Sequence, residues 1–151
     1  NQKETQQFSL LKKFWEALGS KVKFMSFDDH DYVLSITSHL PNEIAYSIIR
    51  TVIKNEYKFK EEITQYSASG LRDFTRIAAS DPTMWRDIFI DNDENIIKIL
   101  DNFSENLEEI KKAIKSKDKD KLNSIFSSTR KLRKEIIKAG QETDKPNFGR
   151  K

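Results

Sequence analysis

Apolar residues return every three or four positions through most of this chain, and that spacing constrains its fold more than any other feature. A recurrence of this kind places the apolar side chains on one face of a helix. In the second half of the chain it resembles a heptad seam, and two such seams in sequence predict a helical hairpin that ends at Gly140. Apolar surface left over must be covered by another part of the domain or by a second subunit. The two seams are Ile96, Leu100, Phe103, Leu107, Ile110 and Ile114, and then Leu122, Ile125, Thr129, Leu132 and Ile136.

Two earlier helices are predicted before residue 55. Gly19 closes the first, and Ser26 has the position of an N-cap, in an S-x-x-D capping pattern, at the start of the second. Pro41 should kink the second helix or divide it, because proline removes a backbone hydrogen bond. That break either leaves His39 and Asn42 beside freed backbone groups, where a polar site can form, or is a plain kink with His39 bonded internally. The apolar positions are Phe8, Leu11, Trp15 and Leu18, and then Val33, Ile36, Leu40, Ile44, Ile48 and Val52.

The segment from Lys21 to Met25 alternates polar and apolar residues, which predicts a β-strand. The sequence shows no second convincing strand, and a lone strand leaves its backbone groups unpaired. The helix–strand unit therefore looks like the last piece of an α/β domain that lies upstream. Residues 55–68 are weakly periodic and are interpreted as a linker with room for a turn of helix.

Composition excludes several kinds of chemistry. The chain has no cysteine, which removes disulfides and thiolate catalysis, and its two histidines, His30 and His39, argue against a metal site. The net charge of +3 is small, and its basic residues after Lys111 alternate with acids, which favours a solvated helix face over a nucleic-acid surface. No apolar run approaches the roughly 20 residues that cross a bilayer, so a cytoplasmic protein is expected.

The stretch Ser69–Asn92 reads SGLRDFTRIAASDPTMWRDIFIDN and predicts two short helices joined by a turn. Pro82 suits the first position of the second helix, with Asp81 or Ser80 before it as the N-cap. The helices then span about 69–79 and 82–92. A following long helix is predicted to start from Asp91 as its cap.

Two arginines of this stretch are suited to binding an anion. Arg72 and Arg76 lie one helical turn apart and offer bidentate donors to a carboxylate, and Asp73 can orient either one. The alternative is that both are solvated or pair with Asp73 and Asp87. The sequence shows no self-sufficient active site, because its four glycines are not spaced to cradle phosphates and no serine–histidine–acid set is recognisable.

The same stretch is similar to a known family. SGLRDFTRIAASDPTMWRDIF resembles the most recognisable segment of the C-terminal domain of prephenate dehydrogenase. Upstream, His30-Asp31 followed by Ser38-His39-Leu40-Pro41 resembles the HD…SHLPH element of that family at a compatible spacing. The resemblance runs from about Phe8 to Lys138.

This resemblance implies an all-α fold of about five to six helices, in which 26–140 is a helical dimerisation and substrate-binding domain. Residues 1–25 would be the last helix and strand of a Rossmann domain, and 141–151 a disordered tail. The implied activity is oxidative decarboxylation of prephenate to 4-hydroxyphenylpyruvate with NAD or NADP, in tyrosine biosynthesis, by a homodimer. The catalytic histidine and the dinucleotide fingerprint would lie in the N-terminal domain. The chain would then supply one wall of the substrate cleft and be inactive alone.

The resemblance also implies roles for individual residues. Arg76 would hold a substrate carboxylate, and Trp85 would pack nearby. The remaining candidates would approach the site from the loop and helix start of the arginine helix, or from the SHLP element. They are Ser69, Gly70, Arg72 and Asp73, and then His39 and Asn42.

Asn42 is a departure from the family pattern, because SHLPH reads SHLPN here. Asparagine can donate a hydrogen bond but cannot carry charge, which leaves the choice between prephenate and arogenate open. The glycine-rich run before the arginine helix is likewise reduced to Ser69-Gly70. Two alternatives therefore stay beside the main prediction: an arogenate or dual-specificity cyclohexadienyl dehydrogenase, and a non-catalytic helical dimerisation module.

Overall fold

The structure is a computed structural model, and it describes residues 5–55 and 60–140. Within these ranges all regular structure is helical, which confirms the all-α prediction, while the predicted tail at 141–151 lies outside them. A π-helical turn, called the π-turn here (Ser35–His39), separates the second and third α-helices. The α-helices are α1 (Gln6–Ala17), α2 (Phe27–Leu34), α3 (Leu40–Asn55), α4 (Lys60–Gln65), α5 (Ser69–Ala78), α6 (Pro82–Asp91), α7 (Asp93–Lys115) and α8 (Lys119–Lys138).

Side-chain caps begin α2 and α6 where the sequence predicts them. Ser26 Oγ accepts a hydrogen bond from the backbone N–H of Asp29 at 3.1 Å. Asp81 Oδ1 accepts from the N–H of Met84 at 2.8 Å, so Asp81 rather than Ser80 is the N-cap of α6. Each bond satisfies one of the donors that the first turn of a helix leaves without a partner.

Glycines end α1 and α8 as predicted. Gly19 and Gly140 have φ values of +89° and +72°, in the left-handed region that glycine enters without a side-chain clash. After α1 the N–H of Ser20 donates to the carbonyl of Trp15 at 3.0 Å, which closes the turn in the manner of a Schellman motif.

Two local predictions are wrong. Lys21–Met25 forms no strand, since the described residues provide no second strand to pair with it. Instead the ring of Phe24 stacks on Phe8 of α1 with centroids 4.2 Å apart. Asp91 does not cap α7 but is the last residue of α6, and α7 begins two residues later at Asp93. The prediction of a linker with room for a turn of helix at 55–68 agrees with the short helix α4, and 56–59 lie outside the described residues.

The predicted break at Pro41 takes the form of the π-turn immediately before it. The N–H of Leu40 donates to the carbonyl of Ser35, five residues back rather than four. The wider turn rotates the helix, and the polar residues Ser35 and His39 become buried instead of the predicted apolar positions Val33 and Ile36, which are exposed. π-turns inside helices are frequent at functional sites.

The chain divides into two compact units, Asn1–Ile99 and Leu100–Lys151. In the first, α3 packs against α5, and the Tyr46 hydroxyl donates to the carbonyl of Ser80 at 3.3 Å. The largest buried side chain there is Trp85, with Ala45, Ile96 and Ile99. The apolar face of α1 predicted from the sequence forms, but its side chains are exposed.

The second unit contains the end of α7 and all of α8. Asp118 caps α8 by accepting from the N–H of Lys121 at 2.9 Å, and the Lys121 ammonium pairs with Glu109 of α7 at 2.6 Å. Ala113 is buried, whereas the seam residue Leu107 remains 53 % exposed. The hairpin therefore covers only part of its own apolar surface. In the described part of the chain, no helix combines the length and apolar character that crossing a membrane requires.

Candidate functional site

His39 is the most enclosed of the candidate residues that titrate. It ends the π-turn with 8 % of its surface exposed, and the indole of Trp85 meets its ring edge-on with centroids 6.2 Å apart. Burial lowers the pKa of His39, because the charged imidazolium loses hydration, while the nearby carboxylate of Asp31 opposes this shift and His30 adds to it. The imidazole is therefore favoured in its neutral form.

Asn92, which sequence analysis did not single out, binds this histidine. Its Nδ2 donates to the backbone carbonyl of Asp31 at 2.8 Å and lies 3.2 Å from Nδ1 of His39. Its Oδ1 accepts from Nδ2 of Asn95 at 2.8 Å. The only signal in the sequence was an asparagine at a helix junction, where such residues are common caps. A cap needs no distant partner, so this signal does not point to His39.

Trp85 supplies the apolar wall beside His39. Its indole is 8 % exposed and packs on Phe89 one turn later, with ring centroids 5.5 Å apart. Among the side chains described, its Nε1 is a buried polar atom without a hydrogen-bond partner. Buried indole N–H groups usually have a partner, so this donor fits a place where a ligand completes the hydrogen bonding.

The side-chain amide nitrogen of Asn42 is already hydrogen-bonded within its own helix. Its Nδ2 donates to the backbone carbonyl of Ser38 at 3.0 Å, in the turn where Pro41 supplies no N–H. The same bond, from an asparagine amide to the carbonyl four residues earlier, occurs at Asn55 and Asn106, so it does not depend on Pro41. The amide nitrogen is thus held locally, and Oδ1 is the acceptor that the side chain can present.

The two arginines of α5 differ in the contacts that their guanidinium groups make within the chain. Arg72 donates to the backbone carbonyl of Ser67 at 2.7 Å. Arg76 is 61 % exposed and makes one long ion pair with Asp73 at 3.8 Å. In the part of the chain that the structure describes, Asp87, the other partner considered, pairs with its neighbour Arg86 at 2.7 Å. Arg76 therefore keeps its guanidinium available to an anion from solution.

The start of α5 is open. Ser69 is its first residue and is exposed, and a Cβ placed on Gly70 would meet nothing within 4 Å. Neither backbone conformation nor packing within the described residues requires glycine there. A small residue at this helix start leaves room for a ligand or another chain to approach the backbone.

The structure brings His39 and Trp85 into contact and adds Asn92 to them. In the described ranges, no hydrogen bond or ion pair connects Arg72 or Arg76 to that pair. The assignment of these residues to one substrate site stays a prediction.

Uncovered apolar helix faces and an exposed arginine are features of domains that bind other chains and anionic ligands. Residues 26–128 match the family described as prephenate dehydrogenase, dimerization domain. The chain belongs to this family.

Relatives and a solved structure agree with that assignment. A cyclohexadienyl dehydrogenase of Zymomonas mobilis is 40 % identical over 128 residues, covering 85 % of this chain and 44 % of that protein. A prephenate dehydrogenase of Bacillus subtilis is 29 % identical over 130 residues, covering 86 % and 35 %. The prephenate dehydrogenase of A. aeolicus, solved with hydroxyphenyl propionate and NAD+, superposes with a TM-score of 0.78 at 36 % identity, covering 90 % of this chain and 48 % of that one. The chain thus spans less than half the length of these relatives.

Proposed function

We propose that this chain is the dimerisation and substrate-binding part of an enzyme that oxidatively decarboxylates prephenate to 4-hydroxyphenylpyruvate. The observation that carries the proposal is the family match over 26–128, which includes every candidate site residue. It is supported by a relative of the same family that binds hydroxyphenyl propionate, a carboxylate with a phenol ring. A cytoplasmic location and a role in tyrosine biosynthesis are parts of the same proposal.

Arg76 is the residue that would hold a carboxylate of the substrate. Its guanidinium is exposed and always charged, and the ion pair that the described residues give it is a long contact to Asp73. An arginine–carboxylate pair with two parallel hydrogen bonds fixes orientation as well as distance. Its contribution to the reaction is to hold the ring so that the bond to the departing carboxyl group and the hydride to be transferred are correctly placed.

His39 and Trp85 would form a second contact region for the substrate. A neutral imidazole and a buried indole N–H can both donate hydrogen bonds to substrate oxygens, and neither adds a charge. The other residues proposed to contact the substrate lie at the open start of α5. They are Ser69, Gly70, Arg72 and Asp73.

The cofactor proposed for this reaction is NAD or NADP, which accepts the hydride when bound. The residues of this chain do not fit a dinucleotide site, because the four glycines, at positions 19, 70, 140 and 149, are not spaced to cradle a pyrophosphate. The cofactor would therefore bind to another part of the protein, and this chain alone is proposed to be inactive.

A second candidate function is an arogenate or dual-specificity cyclohexadienyl dehydrogenase. The observation that favours it is Asn42, which stands where the resemblance places a histidine and whose Nδ2 is held by Ser38. The uncharged Oδ1 of Asn42 can accept a hydrogen bond, so this position suits a substrate that carries a hydrogen-bond donor. The relative from Zymomonas mobilis is named a cyclohexadienyl dehydrogenase, which supports keeping this candidate. A non-catalytic dimerisation module is the remaining alternative.

Turnover by the product of the complete reading frame separates these functions. Reduced cofactor is followed with prephenate and with arogenate, each with NAD and with NADP. Turnover on prephenate supports the main proposal. Turnover on arogenate alone supports the second candidate function, an arogenate dehydrogenase with the same fold. If the protein is folded but turns over neither substrate, the non-catalytic dimerisation module is the function that remains. If arogenate is used, Asn42→His is expected to shift the preference toward prephenate.

Substitution of Arg76 tests its proposed role. Arg76→Ala is expected to raise KM for prephenate about 10- to 100-fold, since a hydrogen bond to a charged group contributes about 1.5–3 kcal/mol. Stability should change little, because the side chain is exposed and its ion pair is long. Arg86→Ala on α6, also exposed and ion-paired, is the matched control and should leave KM unchanged. An unchanged KM in Arg76→Ala would remove this residue from the site.

A further inference from the structure

The backbone of Asn92 is hydrogen-bonded to the helix before it and to the helix after it. It is the single residue between α6 and α7, and its N–H donates to the carbonyl of Ile88 at 3.2 Å. Its own carbonyl accepts from the N–H of Ile96 at 3.1 Å, which is the first hydrogen bond of α7. The side chain therefore starts from a position that both helices fix.

The orientation of the Asn92 amide follows from its neighbours. A backbone carbonyl only accepts, so the side-chain atom 2.8 Å from the Asp31 oxygen must be the nitrogen. The opposite atom is then Oδ1, which receives the amide of Asn95 at 2.8 Å. The Asp31 carbonyl thus fixes the orientation, and the contact with Asn95 is consistent with it.

This orientation determines which nitrogen of His39 carries the proton. One hydrogen of Asn92 Nδ2 is directed to Asp31, and the second is available to Nδ1 of His39 at 3.2 Å. Nδ1 must then be the unprotonated acceptor, because a protonated Nδ1 would face another N–H. The proton of the neutral ring consequently lies on Nε2.

We propose that Asn92 is a positioning residue that holds His39 as the neutral tautomer protonated on Nε2, so that the ring meets the substrate as a hydrogen-bond donor. Asn92 itself does not touch the substrate. The tautomer follows from contacts within the chain, and only its use on a substrate rests on the proposed function. The ligand chemistry that suits an Nε2–H donor is an anionic or carbonyl oxygen.

The arrangement is more than a helix cap. A cap satisfies backbone donors within its own turn, whereas the Asn92 amide reaches residues 61 and 53 positions earlier in the chain. It connects the α6–α7 junction to α2 and to the end of the π-turn. A residue with a purely local role would leave the tautomer of His39 unchanged when it is replaced.

Nitrogen NMR of the histidine rings in the 151-residue chain tests the assignment, since the chain has only His30 and His39. In the parent chain, Nδ1 of His39 should give the signal of an unprotonated nitrogen. Asn92→Asp places an acceptor opposite Nδ1, and the proton is expected to move there. Asn102→Asp, the same change at an exposed position of α7, is the matched control and should leave both rings as they were.

Two results would overturn the proposal: a protonated Nδ1 in the parent chain, or an unchanged His39 ring in folded Asn92→Asp. If circular dichroism shows that Asn92→Asp does not fold, Asn92→Leu takes its place, because leucine has a similar size and no donor. There the His39 tautomers should become mixed, and a ring that keeps the proton exclusively on Nε2 would equally overturn the proposal.

The link to the substrate is tested in the complete protein. Asn92→Leu is expected to raise KM for prephenate about 3- to 10-fold with little change in kcat, which is the signature of a lost binding contact. A changed tautomer with an unchanged KM would refute the role at the substrate. A parent protein without turnover would refute the proposed function alone, because the NMR comparison needs no activity.

Discussion

At the scale of single residues, the burial of His39 makes the stability of the chain depend on pH. Its pKa lies below the ordinary value of 6.5, mainly because burial removes hydration from the charged ring. The unfolded chain therefore takes up this proton first as the pH falls. The stability that neutral His39 contributes is complete above pH 6.5 and is lost as the pH falls from there through the lower pKa of the folded state.

Urea denaturation at a series of pH values measures this effect. The free energy of unfolding should decrease on acidification below pH 6.5, and His39→Gln should flatten the decrease because glutamine does not titrate there. His30→Gln removes an exposed histidine that contacts Asp31 at 2.9 Å, and it should flatten the decrease much less, because His30 is the smallest of the three influences on the pKa of His39. Equal slopes in the parent chain and in His39→Gln would show that another group causes the dependence.

Substitutions at Trp85 can distinguish the contribution of ring packing to stability from that of the indole N–H. Trp85→Ala should cost about 3–5 kcal/mol of stability, as expected for removing a large buried aromatic residue. Trp85→Phe should cost less than about 2 kcal/mol, because it keeps a ring against Phe89 and removes an N–H that has no partner in the described structure. Urea denaturation measures both, with Trp15→Phe on the exposed face of α1 as control. Equal losses for the two variants would mean that the N–H is bonded in solution.

At the scale of elements, most helix ends were predictable, although Asp91 was wrongly predicted to cap α7, and the connections between helices were not. A cap such as Ser26 or Asp81 acts on a donor three residues away, so sequence alone determines it. Proline at position 41 predicted a break, but whether the break becomes a kink or a wider turn depends on packing around it. In the π-turn Ser35 and His39 are buried, whereas Val33 and Ile36 of the predicted apolar stripe are exposed.

The same reasoning explains why the candidate site was only partly found. His39 and Trp85 were identified through a resemblance in short motifs, whereas the contact that fixes His39 comes from Asn92, 53 residues later. No local pattern encodes a hydrogen bond across that distance. The strand at Lys21–Met25 failed for a related reason, since alternation indicates a strand only where a partner strand exists.

The cap of α6 also supports Trp85, which lies in the second turn of that helix. Asp81→Ala removes the bond to the N–H of Met84 at 2.8 Å and should cost about 0.5–2 kcal/mol. Asp101→Ala, at an exposed position inside α7, should change stability by less than about 0.5 kcal/mol. Thermal or urea denaturation compares the two variants. A loss in Asp101→Ala as large as that in Asp81→Ala would indicate an effect of charge rather than of capping.

At the scale of the whole molecule, the chain leaves apolar surface uncovered. Leu107 and Ile114, seven residues apart on α7, are 53 % and 60 % exposed, and Leu132 of α8 is 60 % exposed. They belong to the two seams that the sequence predicts, so the hairpin alone does not bury them. Apolar surface of this kind marks an interaction site, and membership of a dimerization-domain family supports a second copy of the chain as its partner.

Leu107→Lys should therefore weaken self-association. Burying a leucine side chain contributes about 1.5–3 kcal/mol, which corresponds to a dimer dissociation constant raised by about tenfold or more. In a two-fold symmetric dimer each substitution occurs twice, and the introduced ammonium adds a desolvation cost at both places. Sedimentation of the 151-residue chain over a concentration series measures the constant. Leu10→Lys on α1, which alters a leucine that is 70 % exposed, is the matched control and should leave the dimer intact. A parent chain that stays monomeric, or equal weakening by both variants, would place the dimer contact elsewhere than on the hairpin seam.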